Sequence, residues 1–391
     1  MLVIIQQEQD LNTSDNIYGI ICRAIFMFCI VMVLSCNVNS NKREPIVGDT
    51  LELRHSSLLS IIECDGYTVA DIGNPWGKGI LHRYVLVDKE SDLSETLPDG
   101  TLLRVPLDSI LLFSTVHAEL VCTFGCSDAV KGVCESSYIT QQPLVAALRR
   151  GEIIDCGSSL NVDLERVAQL SPQAVWVLPY ENGGYGKLDK LSYPLVECAE
   201  YMENSPLGAA EWMRFYGRLL GKAVFADSLF NIVEKDYLAL KENVLNITGK
   251  RPTLMCELKT SSAWYVPGGC STMGLLYKDA GADYIFSSYR ESGSLPLSYE
   301  TLLSKASEAD FWLIKHGGAD KSYSSLKSEF EGYTHFKPYR ERNVYVCNLS
   351  RKRFYEETPF RPDLLLRELV AIFHPEIVWD KRLRYYEKMG E

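Results

Sequence analysis

The chain has 391 residues, a formal net charge of −11, 46% apolar residues and 23% charged ones. Nucleic-acid binding needs a basic face to neutralise phosphate, so this acidic balance excludes nucleic acid as the main partner. The apolar content suits a packed globular protein, and the length suits two domains of roughly 100 to 200 residues each once a targeting segment is set aside.

The first signal along the chain is an address. Arg23 precedes an apolar run from Ala24 to Leu34, followed by Ser35, Cys36 and a polar Asn/Ser/Lys stretch. The run fits a secretory h-region of about 7 to 15 residues and is too short for the roughly 20 needed to span a bilayer. Val33-Leu34-Ser35-Cys36 resembles a bacterial lipobox. This makes residues 1–35 a signal peptide, Cys36 the expected lipidation site and 36–49 a lipoprotein linker. An uncleaved anchor with an incidental cysteine is the alternative. Glu8, Asp10 and Asp15 depart from a basic n-region, so the expected start lies downstream of Met1.

Of twelve cysteines, Cys22, Cys29 and Cys36 belong to this segment, leaving an odd number in the body without framework spacing. No disulfide scaffold is expected. Cys122, Cys126 and Cys134 cluster but lack a second pair, so they read as buried thiols rather than a zinc site. Exported free thiols would suit an anaerobic habitat.

Residues 50–112 alternate apolar and polar positions, with Asp65-Gly66 and Asp99-Gly100 as hairpin turns. From Ile110 the order becomes βαβα: strand 110–113, helix 117–124, strand 129–133, helix 143–149, helix 163–170 and strand 174–178. That order predicts a largely parallel sheet with both faces covered. Ser205-Pro206 then opens a long helical stretch to about Val244, with Trp212, Phe215, Leu219, Leu220 and Val224 at helical spacing. Beyond Pro252 a second alternation follows: strand 253–258, helix 271–279, strand 284–286, helix 299–307, strand 311–314, strand 344–346 and helix 362–373. The predicted fold is α/β, with one Rossmann-like lobe at 50–205, a bridging helical segment at 206–248 and a second lobe at 249–391.

The order lobe, long helix, lobe resembles the substrate-binding proteins of iron-siderophore, haem and cobalamin ABC importers, the helical-backbone class of periplasmic binding proteins. The segments VPLDSILLFSTVHAELVCTFGCSDAVKGV, with Glu119 early in its helix, and VDLERVAQLSPQAVWV are similar to that family's opening units. NVYVCNLS and FRPDLLLRELVAIFHPE resemble its closing strand, helix and tail. The resemblance covers residues 105 to 378, and the hairpins at 46–104 exceed the family minimum. It implies a ligand cleft between the lobes, no resident cofactor, an iron chelate, haem or corrinoid as ligand, and an ABC permease with its ATPase as partners. The membrane would be met through the lipid anchor only, on the exported side. A bridging helix resists large bending, so closure is expected to be small.

In open α/β sheets ligands sit beyond the carboxyl ends of the strands. Loops there carry Tyr138, Tyr180, Trp264, Tyr265, Tyr289 and Arg290, which supply stacking faces and a grip on oxygen anions. Trp264 is the foremost candidate, because Ser-Ser-Ala-Trp-Tyr-Val-Pro-Gly-Gly reads as a loop. His316, after the strand at 311–314, is a candidate ligand contact or metal ligand, although a lone histidine is more often structural. The six histidines show no metal-ligand spacing, so bare zinc or manganese is not expected. Where the cobalamin-binding relatives would place clamping tryptophans this chain has Ser159 and Ser294, which argues against cobalamin itself. The resemblance also implies one permease-docking carboxylate per lobe, matched here by Glu165 and Glu300, each at the first turn of a helix. Helix-dipole stabilisation would equally explain either residue alone.

Phosphate-loop, nucleophile-elbow, zincin and dinucleotide motifs are absent from the sequence, and Gly183-Gly184-Tyr185-Gly186 lacks the Lys-Ser/Thr pair that together holds phosphate and its metal. The expectation is therefore a binding protein and not an enzyme. A surface lipoprotein acting in adhesion without transport is the alternative.

Overall fold

The computed structural model describes residues 46–92, 97–181 and 183–391, so the signal segment and Cys36 lie outside the described residues. The early alternation folds into one sheet of five strands in sequence order: β1 (Asp49–Thr50), β2 (Leu59–Glu63), β3 (Tyr67–Gly73), β4 (Ile80–Asp88) and β5 (Thr101–Val105). Asp65-Gly66 turns β2 into β3 as expected, with Gly66 at φ +78° and Cys64 N–H bonded to Tyr67 O at 2.9 Å. Asp99-Gly100 does not make a hairpin. β5 runs parallel to β4, and a two-residue turn cannot join parallel neighbours.

Two buried carboxylates attach this sheet to the helices. Glu211 accepts from the backbone N–H groups of Arg54, His55 and Ser56 at 3.1, 2.9 and 2.8 Å. Glu203 accepts from those of Ser57 and Leu58 at 2.8 and 3.0 Å, and from the Trp212 indole at 2.8 Å. A carboxylate this deeply buried is tolerable only when hydrogen bonds replace its water. Here main-chain amides do so.

The first lobe is an all-parallel sheet in the order β12-β11-β6-β7-β8, formed by β6 (Ile110–Leu112), β7 (Val130–Val133), β8 (Ile154–Asp155), β11 (Ala174–Val177) and β12 (Leu195–Glu197). A hairpin of β9 (Gly157–Ser158) and β10 (Asn161–Val162) projects beside it. Helices α1 (Thr115–Thr123), α2 (Gln142–Arg150) and α3 (Leu164–Leu170) connect the strands. All four residues of β11 are buried, as a strand covered on both faces requires.

The expected single long helix is three: α4 (Pro206–Glu211), α5 (Met213–Leu219) and α6 (Ala223–Leu245). Ser205 caps α4 by accepting from Gly208 N–H at 2.9 Å, with Pro206 at the first turn. The first break falls at Trp212 and the second at Gly221, whose φ of +66° an L side chain rarely adopts. A Cβ on Gly217 would lie 2.4 Å from that of Ala226, so glycine is what lets α5 and α6 pack so closely.

The second lobe has the order β16-β13-β18-β19-β20, formed by β13 (Thr253–Cys256), β16 (Asp283–Tyr284), β18 (Phe311–His316), β19 (Val344–Asn348) and an antiparallel last strand β20 (Glu387–Lys388). A smaller sheet of β14 (Lys259–Thr260), β15 (Ala263–Pro267) and β17 (Ser294–Leu297) accompanies it. Its helices are α7 (Thr272–Asp279), α8 (Tyr299–Ala306), α9 (Tyr323–Glu329), α10 (Lys337–Arg340), α11 (Phe354–Glu357) and α12 (Pro362–Phe373). Among the described residues no helix is long and apolar enough to cross a membrane, and the nine cysteines there are free thiols, five of them buried.

A buried polar network ties α1 to the end of β12 and to α5. His117 Nε2 lies 2.8 Å from Glu200 Oε1, and the Tyr216 hydroxyl donates to Glu200 Oε2 at 2.6 Å. Burial alone disfavours the imidazolium, but Cys198 and Glu200 outweigh it and raise His117 to about 10. The folded value thus exceeds the unfolded one, so the stabilisation is complete below about pH 6.5 and is lost as pH rises towards 10. Urea unfolding at stepped pH should show stability falling by roughly 1 kcal/mol per unit across that window. His117→Gln should flatten the slope, and an unchanged slope in the variant would assign it to other groups.

Candidate functional site

Two cavities open at the carboxyl ends of the parallel strands of the two lobes. In the first lobe, a cavity of about 590 Å³ is bounded by residues that follow β6 and β11 and by the β9–β10 turn, including Phe113, Leu160, Tyr180, Tyr185 and Tyr201. The rings of Tyr180 and Tyr185 lie 5.7 Å apart and tilted. Tyr185 is held from behind, its hydroxyl donating to Glu197 Oε1 at 3.2 Å, and burial raises both groups above their ordinary values. The Tyr201 hydroxyl bonds Pro179 O, which fixes the strand end from which Tyr180 projects.

In the second lobe, a cavity of about 440 Å³ is lined by Glu257, Tyr265, Met273, Ser294, Lys315 and Tyr355, among others. β13 stops at Cys256, two residues before the expected end, because Glu257 adopts the left-handed conformation at φ +66°. Its neighbours hold it there. Glu257 N–H donates to Leu313 O at 2.8 Å, and the Trp312 indole donates to Glu257 O at 2.8 Å. The Glu257 carboxylate meets the Lys315 ammonium, whose side chain is only 7% exposed. Desolvation disfavours the charged lysine, yet Glu257 more than offsets it and keeps Lys315 protonated well above the usual lysine value.

The lobes touch through Glu119 on α1 and Arg353 just before α11, paired at 2.9 Å. Gln141 Nε2 donates to the same carboxylate at 3.0 Å. His117, Cys198 and Glu200 bring potential metal-ligand atoms within 4.8 Å of one another. Each Glu200 oxygen already has a hydrogen-bond partner, so the group is described as the network above.

The residues singled out in the sequence divide clearly. Tyr180 lines the first cavity and Tyr265 the second. Ser159 and Ser294 line the same two cavities, one in each lobe. Tyr138 is 65% exposed on a short turn after β7 and Arg290 is exposed, and neither lines either of these two cavities. Tyr289 is half-buried, with Lys305 Nζ 5.4 Å from its ring centroid. His316 is the last residue of β18, buried, with Nε2 unpartnered. Glu165 and Glu300 are both exposed, each two residues beyond its cap, Asp163 or Ser298.

Trp264 overturns its expectation. It sits in β15 and not in a loop, fully buried, with its indole donating to Cys256 O at 3.0 Å and its ring packed on Trp312, Tyr333 and Phe336. The strand was missed because its partner β17 lies some thirty residues on. Sequence reasoning also passed over Glu257, Lys315 and Tyr355, since no spacing links residues about 58 and 100 positions apart.

The model of the periplasmic binding protein family matches residues 127–349. The chain belongs to that family. The match runs from the approach to β7 through the end of β19 and so takes in most of both cavity linings. An uncharacterized lipoprotein of Methanocaldococcus jannaschii is 27% identical over 324 residues, covering 78% of this chain and 76% of the relative. Among solved structures, a TroA-like periplasmic binding protein of Veillonella parvula aligns with a TM-score of 0.56 at 16% identity, over 75% of this chain and 98% of its own. A periplasmic heme-binding protein of Pseudomonas aeruginosa aligns with a TM-score of 0.57 at 13% identity, over 73% and 98%. These likenesses establish the two-lobed fold.

The burial of Trp264 yields a prediction about stability. Trp264→Ala should cost about 3 to 5 kcal/mol in urea unfolding, as for other large-to-small core changes. A fully stable Trp264→Ala protein that had lost only ligand binding would return Trp264 to the site.

Proposed function

We propose that the protein is a solute-binding protein, exported and anchored through lipid on Cys36, that delivers a metal chelate such as a ferric siderophore, haem or a corrinoid to an ABC importer. The observation that carries this reading is the pair of tyrosine-bearing cavities at the carboxyl ends of the parallel strands of the two lobes, in a chain of the periplasmic binding protein family. Tyrosines offer broad faces with a polar tip, which suits a bulky ligand shared between lobes. The lipoprotein relative supports the anchor, and the heme-binding neighbour supports the ligand class.

A thermal-shift panel of haem, ferric siderophores and corrinoids tests the reading. A ligand at one hundred times its dissociation constant stabilises by about 2.7 kcal/mol, a readily measured shift. Tyr180→Ala and Tyr265→Ala should each weaken the binding found by roughly 1 to 3 kcal/mol. No shift with any chelate would count against transport of this ligand class.

Docking to the permease is assigned to Glu165 and Glu300, which occupy matching positions at the starts of α3 and α8, away from both cavity linings. Arg on the permease would engage each carboxylate through its fork geometry. The double variant Glu165→Lys with Glu300→Lys should keep ligand affinity while uptake through the permease collapses. Normal uptake would refute the assignment.

A further inference from the structure

Resting on the chelate-binding reading, the charge of the cavities narrows the ligand. Among the described residues, the formally charged side chains that line the two cavities are Lys187 in the first lobe and Glu257 and Lys315 in the second. Lys187 is exposed, where solvent screens it. Lys315 is buried and committed to Glu257, so turning it towards a ligand would strand a carboxylate with no counter-charge. Arg290, the cation placed nearby in the sequence, is absent from both linings. What remains is hydroxyl, amide and apolar surface, including Ser159, Asn161, Tyr180, Tyr265, Met273 and Ser294. A polyanion entering these cavities would lose its water and find no matching positive charge, whereas carbonyl or hydroxamate oxygens of a neutral complex would find hydroxyl donors.

We propose that the two cavities take a metal chelate of near-zero net charge, such as a neutral ferric trihydroxamate, and reject polyanionic chelates, because Lys315, the buried cation among the described residues of their linings, is neutralised by Glu257.

Titration of the wild-type protein with four probes tests this: a ferric linear trihydroxamate, cyanocobalamin, a ferric tris-catecholate and haem. A low-charge probe should bind at least ~100-fold more tightly than the tris-catecholate. Its affinity should change by less than ~3-fold between about 0.05 and 0.5 M salt, since no charge pairing carries it. Glu257→Gln, which leaves Lys315 without its carboxylate, should raise tris-catecholate affinity by ~10-fold or more, and Glu257→Gln with Lys315→Met should abolish that gain. Tightest binding by the tris-catecholate or haem would overturn the charge argument while leaving the solute-binding reading intact. Absence of binding by all four would overturn both. Should Glu257→Gln fail to fold, the wild-type ranking decides alone.

Discussion

The second cavity is arranged around the left-handed turn at Glu257, whose carboxylate pairs with Lys315. The carboxylate comes from a residue that has left the β conformation, held at φ +66° by the Leu313 carbonyl and the Trp312 indole. That turn ends β13, sends the chain into the small β14-β15-β17 sheet and sets the cavity floor. A left-handed non-glycine residue costs about 1 to 3 kcal/mol and persists only where its surroundings determine it. Trp264 and Trp312 supply those surroundings, which is why the two tryptophans are core and the cavity belongs to tyrosines.

The first lobe uses a different device for a related end. The five-stranded sheet would be an add-on with little hold if Glu203 and Glu211 did not gather five main-chain amides of residues 54–58 onto α4 and its preceding turn. Arg218 extends the attachment to Glu63 at 2.6 Å and to Asp227 on α6 at 3.2 Å. Sheet and bridging helices therefore move together, and the lobes meet again through Glu119 and Arg353. Such cross-linking favours small adjustments at the cavities over wide hinge opening.

Local rules written in short windows were legible in the sequence. The helix at 362–373 appears where predicted, Ser205 caps its helix, and the βαβα order gives largely parallel sheets. Failures arose where a distant partner decided the outcome. Asp99-Gly100 has the form of a hairpin turn but leads into a strand parallel to β4, and Trp264 has the setting of a loop residue but pairs with β17 as a strand. The helical stretch ends where the periodicity places it, but Trp212 and Gly221 divide it into three, and apolar spacing alone does not register such breaks. The site was half visible: Tyr180 and Tyr265 follow from their place near strand ends, whereas Glu257 with Lys315, and His117 with Glu200, are joined only in three dimensions.

The central claim is that one ligand is held by both lobes, at the carboxyl ends of their parallel strands. Hydrogen–deuterium exchange of the full chain, with and without the tightest-binding chelate, tests this directly. The account predicts simultaneous protection of residues 177–188 and of residues 257–273 with 292–294. Protection confined to one lobe, or to neither, would contradict it.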